Sequence, residues 1–217
     1  MSNPFPRDPP KPEQPLRGPL LLLVEGMDDF KVFRCILEKT GLGPNDVELR
    51  PLGGKNDLPE RMKALTLAHG FDSVRAVCVV RDADDSPDAA FQSVADAFRL
   101  NGLPTPKKAF EVVGNGLRTA AMLTAGPDGR GELEDMCLAS VAEGDVGVGC
   151  ANCLIDCLQR NGIDPRRKIG KRRLLAFLAS KPDVHVHIGV AAEAGMFNLG
   201  SQAFAPIIST LDALKHL

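Results

Sequence analysis

Between residues 19 and 100 the chain alternates strand-length runs with stretches of helical period, and few folds satisfy that rhythm. Leu20–Val24 is an unbroken apolar run, as expected of a strand covered on both faces. Gly26, Asp28 and Asp29 follow; then Phe30, Phe33, Ile36 and Leu37 recur on one face of a helix that Gly41 and Gly43 end. Val47–Leu52 reads as a second strand, residues 53–56 as a loop and Leu58–Ala68 as a second helix. Val74–Val80 is the third strand, closed by Asp82, Ala83, Asp84 and Asp85. Ser86 followed by Pro87 predicts an N-capped helix running to about Leu100. Such alternation predicts an α/β fold with a mostly parallel sheet and right-handed crossovers.

The flanking segments read differently. Pro4, Pro6, Pro9, Pro10, Pro12 and Pro15 predict a disordered or extended tail over residues 1–17. That tail lacks the apolar stretch of a signal peptide, and no run in the chain has the length of a membrane span. After Pro106, Ala109–Val113 and Leu117–Leu123 flank Gly114-Asn115-Gly116 and predict a two-stranded hairpin. Residues 132–142, 149–160, 170–180 and 201–215 read as helices, and Val184–Val190 as a last strand. The expected organisation is a Pro-rich tail over 1–17 and one domain over 18–217. Its α/β part spans 19–125 and its mainly helical part 131–217. A chain of 217 residues supplies a core of normal size for one domain.

Composition narrows the function classes. The net charge is −2 and the chain has neither Trp nor Tyr. A chain-wide basic footprint is thus absent, and recognition by base stacking is disfavoured. Six cysteines in this length do not suggest a disulfide scaffold, and a reduced, cytoplasmic setting is expected. Cys35 and Cys78 fall in apolar segments as small hydrophobes. Cys150, Cys153 and Cys157 share one helical face beside Leu154 and Leu158, with no fourth metal ligand near in sequence, so core packing is expected of them. His185 and His187 alternate in the predicted last strand, where a structural role is expected.

Open parallel sheets bind ligands at the carboxyl ends of their strands. Glu25 ends the first predicted strand, and Asp82 and Asp84 end the third. In an extended segment Asp82 and Asp84 point the same way. Carboxylates gathered together repel one another unless a cation compensates. An oxygen-only donor set without His or Cys nearby favours Mg²⁺, or Mn²⁺, over Zn²⁺. The competing reading is local: Asp28 and Asp29 complement a helix dipole, and Asp85 or Ser86 caps the third helix.

Val24-Glu25-Gly26-Met27-Asp28-Asp29 and Asp82-Ala83-Asp84 resemble the two signature motifs of TOPRIM domains. That fold is shared by topoisomerases, bacterial primases, recombination proteins of the RecR type and OLD-family nucleases. The resemblance implies that Glu25 is a metal ligand or general acid/base and that Asp82 and Asp84 are a metal-binding pair. Gly131-Glu132-Leu133-Glu134-Asp135 resembles the G-x-L-E segment of OLD-like proteins, which implies a further metal ligand at Glu134, with Glu132 and Asp135 as competitors. Asp28 or Asp29 matches a second acidic position of the first motif. Residues 188–211 resemble the ending of small stand-alone TOPRIM-like proteins. Two departures stand out: no ATPase segment precedes the motifs, and the catalytic Tyr of a topoisomerase is missing.

Arg166-Arg167-Lys168-Ile169-Gly170-Lys171-Arg172-Arg173 is the densest positive run, suited to a phosphate backbone or to developing negative charge. In OLD-like nucleases a late lysine has the second role; Lys171 is the first choice for it here and Lys168 the second. A solvated helix start is the competing reading. Gly53-Gly54-Lys55 is no P-loop, since Asn56 stands where Ser or Thr belongs, but it places Lys55 on the ligand side of the sheet for a metal or phosphate. The expectation is Mg²⁺-dependent phosphodiester hydrolysis of nucleic acid. The alternative is a non-catalytic module that binds nucleic acid or a partner ATPase.

Overall fold

Leu20–Val24 forms strand β1, and all five of its side chains are buried. Alternate residues of the run face opposite sides of the sheet, so an unbroken apolar sequence needs cover on both. The structure, a computed structural model, describes residues 3–11, 14–54, 57–163 and 168–215. Helix α1 (Met27–Thr40) leads to β2 (Val47–Pro51), α2 (Leu58–Thr66) to β3 (Ala76–Asp82), and α3 (Pro87–Leu100) to β4 (Arg118–Thr124). The four strands lie parallel in the order β2-β1-β3-β4. Among the described residues the α-helices α4 (Leu133–Ala139), α5 (Val146–Arg160), α6 (Ile169–Ala179), α7 (Ile188–Glu193) and α8 (Ala205–Lys215) follow.

The sheet divides the core in two. Leu20, Leu22, Val24, Cys78, Val80 and Met122 pack with Phe30, Phe33, Phe177 and Leu211 on one face. Leu21, Leu23, Val77, Val79 and Ala121 pack with Met62, Val94 and Phe98 of α2 and α3 on the other. The chain leaves β1 toward β2 and then crosses back over β1 to form β3. The direction of winding therefore reverses between β1 and β3, and at such a switch point the carboxyl ends of the two strands open a crevice.

Ser86 caps α3 as its sequence predicts: its side chain accepts from Ala89 N at 3.3 Å, with Pro87 in the first turn. Ser86→Ala is expected to cost about 1 kcal/mol, read as a lower urea midpoint at unchanged slope.

Four expectations are revised by the coordinates. The described residues of the Pro-rich leader have no helix or strand, yet they are held against the domain. Phe5 and Leu16 are buried in the core, Leu16 N donates to His69 O at 2.9 Å, and Arg50 Nη2 donates to Gln14 O at 2.8 Å. Proline leaves backbone carbonyls without matching N–H groups, and a buried guanidinium collects them. Ala109–Val113 is not a strand of a hairpin, because Phe110 sits at φ 65° and breaks the extended path; a single bridge, Val113 with Thr119, remains. Val184–Val190 is not a strand either. Val184 and Val186 face solvent, and Ile188 already begins α7. Cys150, Cys153 and Cys157 are exposed rather than packed, because α5 buries Gly147, Ala151 and Ile155 instead. Among the described residues no helix is long and apolar enough to cross a membrane.

Candidate functional site

Four local structures converge on the crevice at the switch point. The first is the end of β1, where Glu25 and Gly26 precede α1. Asp29 folds back over the start of that helix, and its Oδ2 accepts from Gly26 N at 3.1 Å. The second is the end of β3. Asp82 Oδ1 accepts from Thr124 Oγ1 at 2.6 Å and from Leu133 N at 3.0 Å, so one carboxylate ties β3 to β4 and to the first turn of α4.

The third is the turn into α4. Gly131 exchanges two backbone hydrogen bonds of 2.8 Å with Asp84. Gly131 has φ 99°, and a Cβ there would overlap the Asp135 carboxylate, so glycine is required on both counts. Asp135 Oδ2 in turn accepts from Glu132 N at 3.0 Å. The fourth is the start of α6, where Gly170 lies so close to the Asp135 carboxylate that a side chain would collide with it. This close approach sets Lys168 and Lys171 beside the acidic groups.

The outcome is one cavity of about 500 Å³ lined by Glu25, Asp28, Asp29, Asp82, Glu132 and Glu134 together with Lys31, Lys168, Lys171 and His187. Of the side chains singled out from sequence, Glu25, Asp28, Asp29, Asp82, Glu134, Lys168 and Lys171 share it. Asp84 is not in this lining. It adopts φ 49°, which interrupts the extended geometry that would aim it alongside Asp82, and its backbone is engaged with Gly131. Lys55, Arg166 and Arg167 fall outside the described residues.

The sequence reading missed Lys31 and His187 as members of the lining and kept Glu132 only as a competitor. Lys31 follows Asp28 by three residues, a spacing that puts both on one face of α1. His187 falls in the predicted last strand; as the residue preceding α7 it lines the cavity instead.

The electrostatics are those of crowded, half-buried acids. Burial, followed by the charges of Asp82 and Glu25, pushes the Asp29 carboxyl up to about 7. Burial also pushes Glu134 up to about 7. Asp82 and Glu132 reinforce the shift, while its own backbone hydrogen bond and Lys171 oppose it. The same field reaches Cys137 behind the cavity. Its thiol is raised well above the ordinary range by burial and then by Glu134 and Asp29.

Among the described residues no three Asp, Glu, His or Cys side chains are drawn close enough to hold an ion as they stand. The donor chemistry nevertheless fits a hard divalent cation: several carboxylates of separate elements face one space, and two carry raised pKa values that opposite charge would reverse.

No curated protein matches the chain. Among solved structures, the C-terminal region of the OLD protein of Xanthomonas campestris pv. campestris is similar with a TM-score of 0.45 and 11% identity, over 91% of this chain and 96% of that one. Residues 19–215 match a family described as "Protein of unknown function (DUF3226)", and the chain belongs to that family.

Proposed function

We propose that the protein is a TOPRIM-like, Mg²⁺-dependent phosphodiesterase acting on nucleic acid. The observation that carries this reading is the shared lining of Glu25, Asp29, Asp82 and Glu134 with Lys168 and Lys171, at the switch point of a parallel sheet. The likeness of the two acidic motifs to TOPRIM signatures supports it further.

Glu25, Asp82, Asp29 and Glu134 would hold Mg²⁺ or Mn²⁺, with Asp84 able to join only if its turn reorients. The bound cation would supply Lewis acidity toward a phosphate oxygen and help to deprotonate an attacking water. Glu25 would accept that water's proton as the new O–P bond forms and the bond to the leaving oxygen breaks. Lys171, whose charge already acts on Glu134, offsets the negative charge that accumulates on the phosphoryl oxygens, and Lys168 contacts the adjoining phosphate. Lys55 is a further candidate for that contact.

A second reading, a metal-dependent module that docks nucleic acid or a partner ATPase without turnover, is favoured by one observation: among the described residues no three carboxylates are drawn together tightly enough to hold an ion.

The discriminating experiment incubates the protein with supercoiled plasmid, single-stranded DNA and RNA in Mg²⁺, Mn²⁺ or EDTA. Cleavage that needs the divalent ion is expected. Lys171→Ala is expected to slow it by about 10²–10³-fold while the melting temperature stays put. Calorimetric Mg²⁺ binding without cleavage of any substrate would select the second reading. Absence of both would discard the metal site.

A further inference from the structure

A cavity lies away from the acidic crevice, between α1, α7 and the N-terminal leader, and Arg34 forms part of its wall. We propose that it is a binding site for a small organic oxyanion, a molecule carrying a phosphate or carboxylate group, and that Arg34 is the anchoring residue.

The argument starts from the burial of a permanent charge. The Arg34 side chain is only 4% exposed, and burying a guanidinium is costly unless its donors are matched. Its Nη2 pairs with Glu193 Oε1 of α7. Its Nε, also buried, has no partner among the described residues. A structural link between α1 and α7 needs a single contact, which a lysine would supply. An arginine brings a planar fork of donors matched to two oxygens of one anion. Here one prong of the Nε–Nη2 edge is used and the other is not.

The surroundings suit such a ligand. The cavity measures about 800 Å³, within the usual range for small-molecule sites. Arg7 and Lys39 add positive charge to its lining, and Ser140 and Asn198 add polar groups. Three acids also line it. Asp145 is already engaged by Lys181 Nζ at 2.7 Å and by two backbone N–H groups, which hold its carboxyl below the usual range. Glu38 is exposed on α1. Glu193, at 38% exposure, is the acid paired with the guanidinium.

Glu193 therefore acts as an internal stand-in for the ligand. An incoming phosphate or carboxylate takes the Nε–Nη2 edge in bidentate fashion, and Glu193 swings toward solvent. The same two helices also border the acidic crevice, through Asp28, Asp29 and Lys31 at the start of α1 and through Ile188 of α7. The oxyanion site is thus a second site on shared elements, independent of whether the crevice cleaves nucleic acid.

The test titrates the full chain with inorganic phosphate and, separately, with succinate, by calorimetry and by thermal shift in Mg²⁺-free buffer. Binding of at least one is expected, and comparing the two arms tells a phosphate ligand from a carboxylate ligand. Glu193→Gln removes the competing carboxylate and is expected to tighten binding by about tenfold, with a larger thermal upshift than wild type. Arg7→Ala, on the rim, is expected to weaken binding a few-fold while leaving the fold intact. Arg34→Lys keeps the charge but loses the fork, and is expected to weaken binding by about tenfold or more. The proposal is overturned if neither anion binds wild type or Glu193→Gln. It is equally overturned if Glu193→Gln merely loses stability that neither anion restores, which is the result for a purely structural ion pair.

Discussion

Asp82→Asn is expected to remove divalent-dependent cleavage while leaving the protein folded with its β3–β4–α4 junction intact. The two halves of that expectation have separate causes. An asparagine carbonyl oxygen can still accept from Thr124 Oγ1 and Leu133 N, the two bonds that Asp82 Oδ1 makes at 2.6 and 3.0 Å. The junction of β3, β4 and α4 therefore keeps its tie. What disappears is one negative charge facing Asp29 and Glu134, whose raised pKa values Asp82 helps to cause. Relieving that repulsion favours the folded state. The same lost charge weakens the hold on a cation and the stabilisation of a reacting phosphate, a loss of several kcal/mol that corresponds to about 10³-fold in rate.

Asp82→Ala supplies the contrast. It discards the charge and the acceptor together and leaves Leu133 N and the Thr124 hydroxyl without this acceptor. Stability is then expected to fall by about 1–3 kcal/mol on top of the loss of cleavage. Equilibrium urea unfolding and plasmid nicking on the three proteins separate the two contributions. Undiminished cleavage by Asp82→Asn would remove the carboxylate from the proposed chemistry.

How much of this was legible in the sequence depends on whether a feature is set by a local pattern or by distant packing. β1, α1 and α3 were readable because the apolar run, the glycine stop and the Ser86-Pro87 cap act within a few residues. The crevice followed from topology: once β1 and β3 are parallel neighbours, Glu25 and Asp82 end up at the same rim. Asp84 illustrates where this fails. Its direction depends on an extended backbone, and pairing with Gly131 bends the chain at that residue. The cysteine stripe of α5 failed for a different reason. Helical spacing fixes which residues share a face, but not which face is covered, and α5 buries Gly147, Ala151 and Ile155. Phe5 and Leu16 are single apolar residues in a proline-rich stretch, too sparse to show periodicity. His187 escaped because alternating Val and His in a short segment mimics a strand, whereas among the described residues no neighbouring strand pairs with it. The buried, half-matched Arg34 sits inside an otherwise regular helical pattern, and nothing in its own sequence neighbourhood signals a cavity.

Stability of the metal-free protein is expected to decline as pH rises from about 5 to 8, and added Mg²⁺ is expected to cancel the decline. Asp29 moves from an ordinary 3.8 to about 7 on folding, and Glu134 from 4.5 to about 7. In the window between those values the folded protein holds protons that the unfolded chain has released. A state that binds more protons is favoured by lower pH, so both groups contribute stability that is fully present below about pH 4 and lost as pH climbs through 7. Each proton changes the unfolding free energy by up to about 1.4 kcal/mol per pH unit, and the two acids share one field, so a total loss on the order of a few kcal/mol is expected. A divalent ion in the crevice reverses the balance. It binds only the ionised carboxylates, displaces their protons and stabilises the folded state in proportion to its occupancy. The Mg²⁺-dependent gain should therefore be close to nil near pH 5 and greatest near pH 8. Urea midpoints across this range, with and without saturating MgCl₂ at constant ionic strength, read the effect directly. Glu134→Gln should flatten the metal-free profile and shrink the Mg²⁺ gain together, because one group underlies both. Parallel curves with and without the ion would show that these carboxylates titrate without binding it.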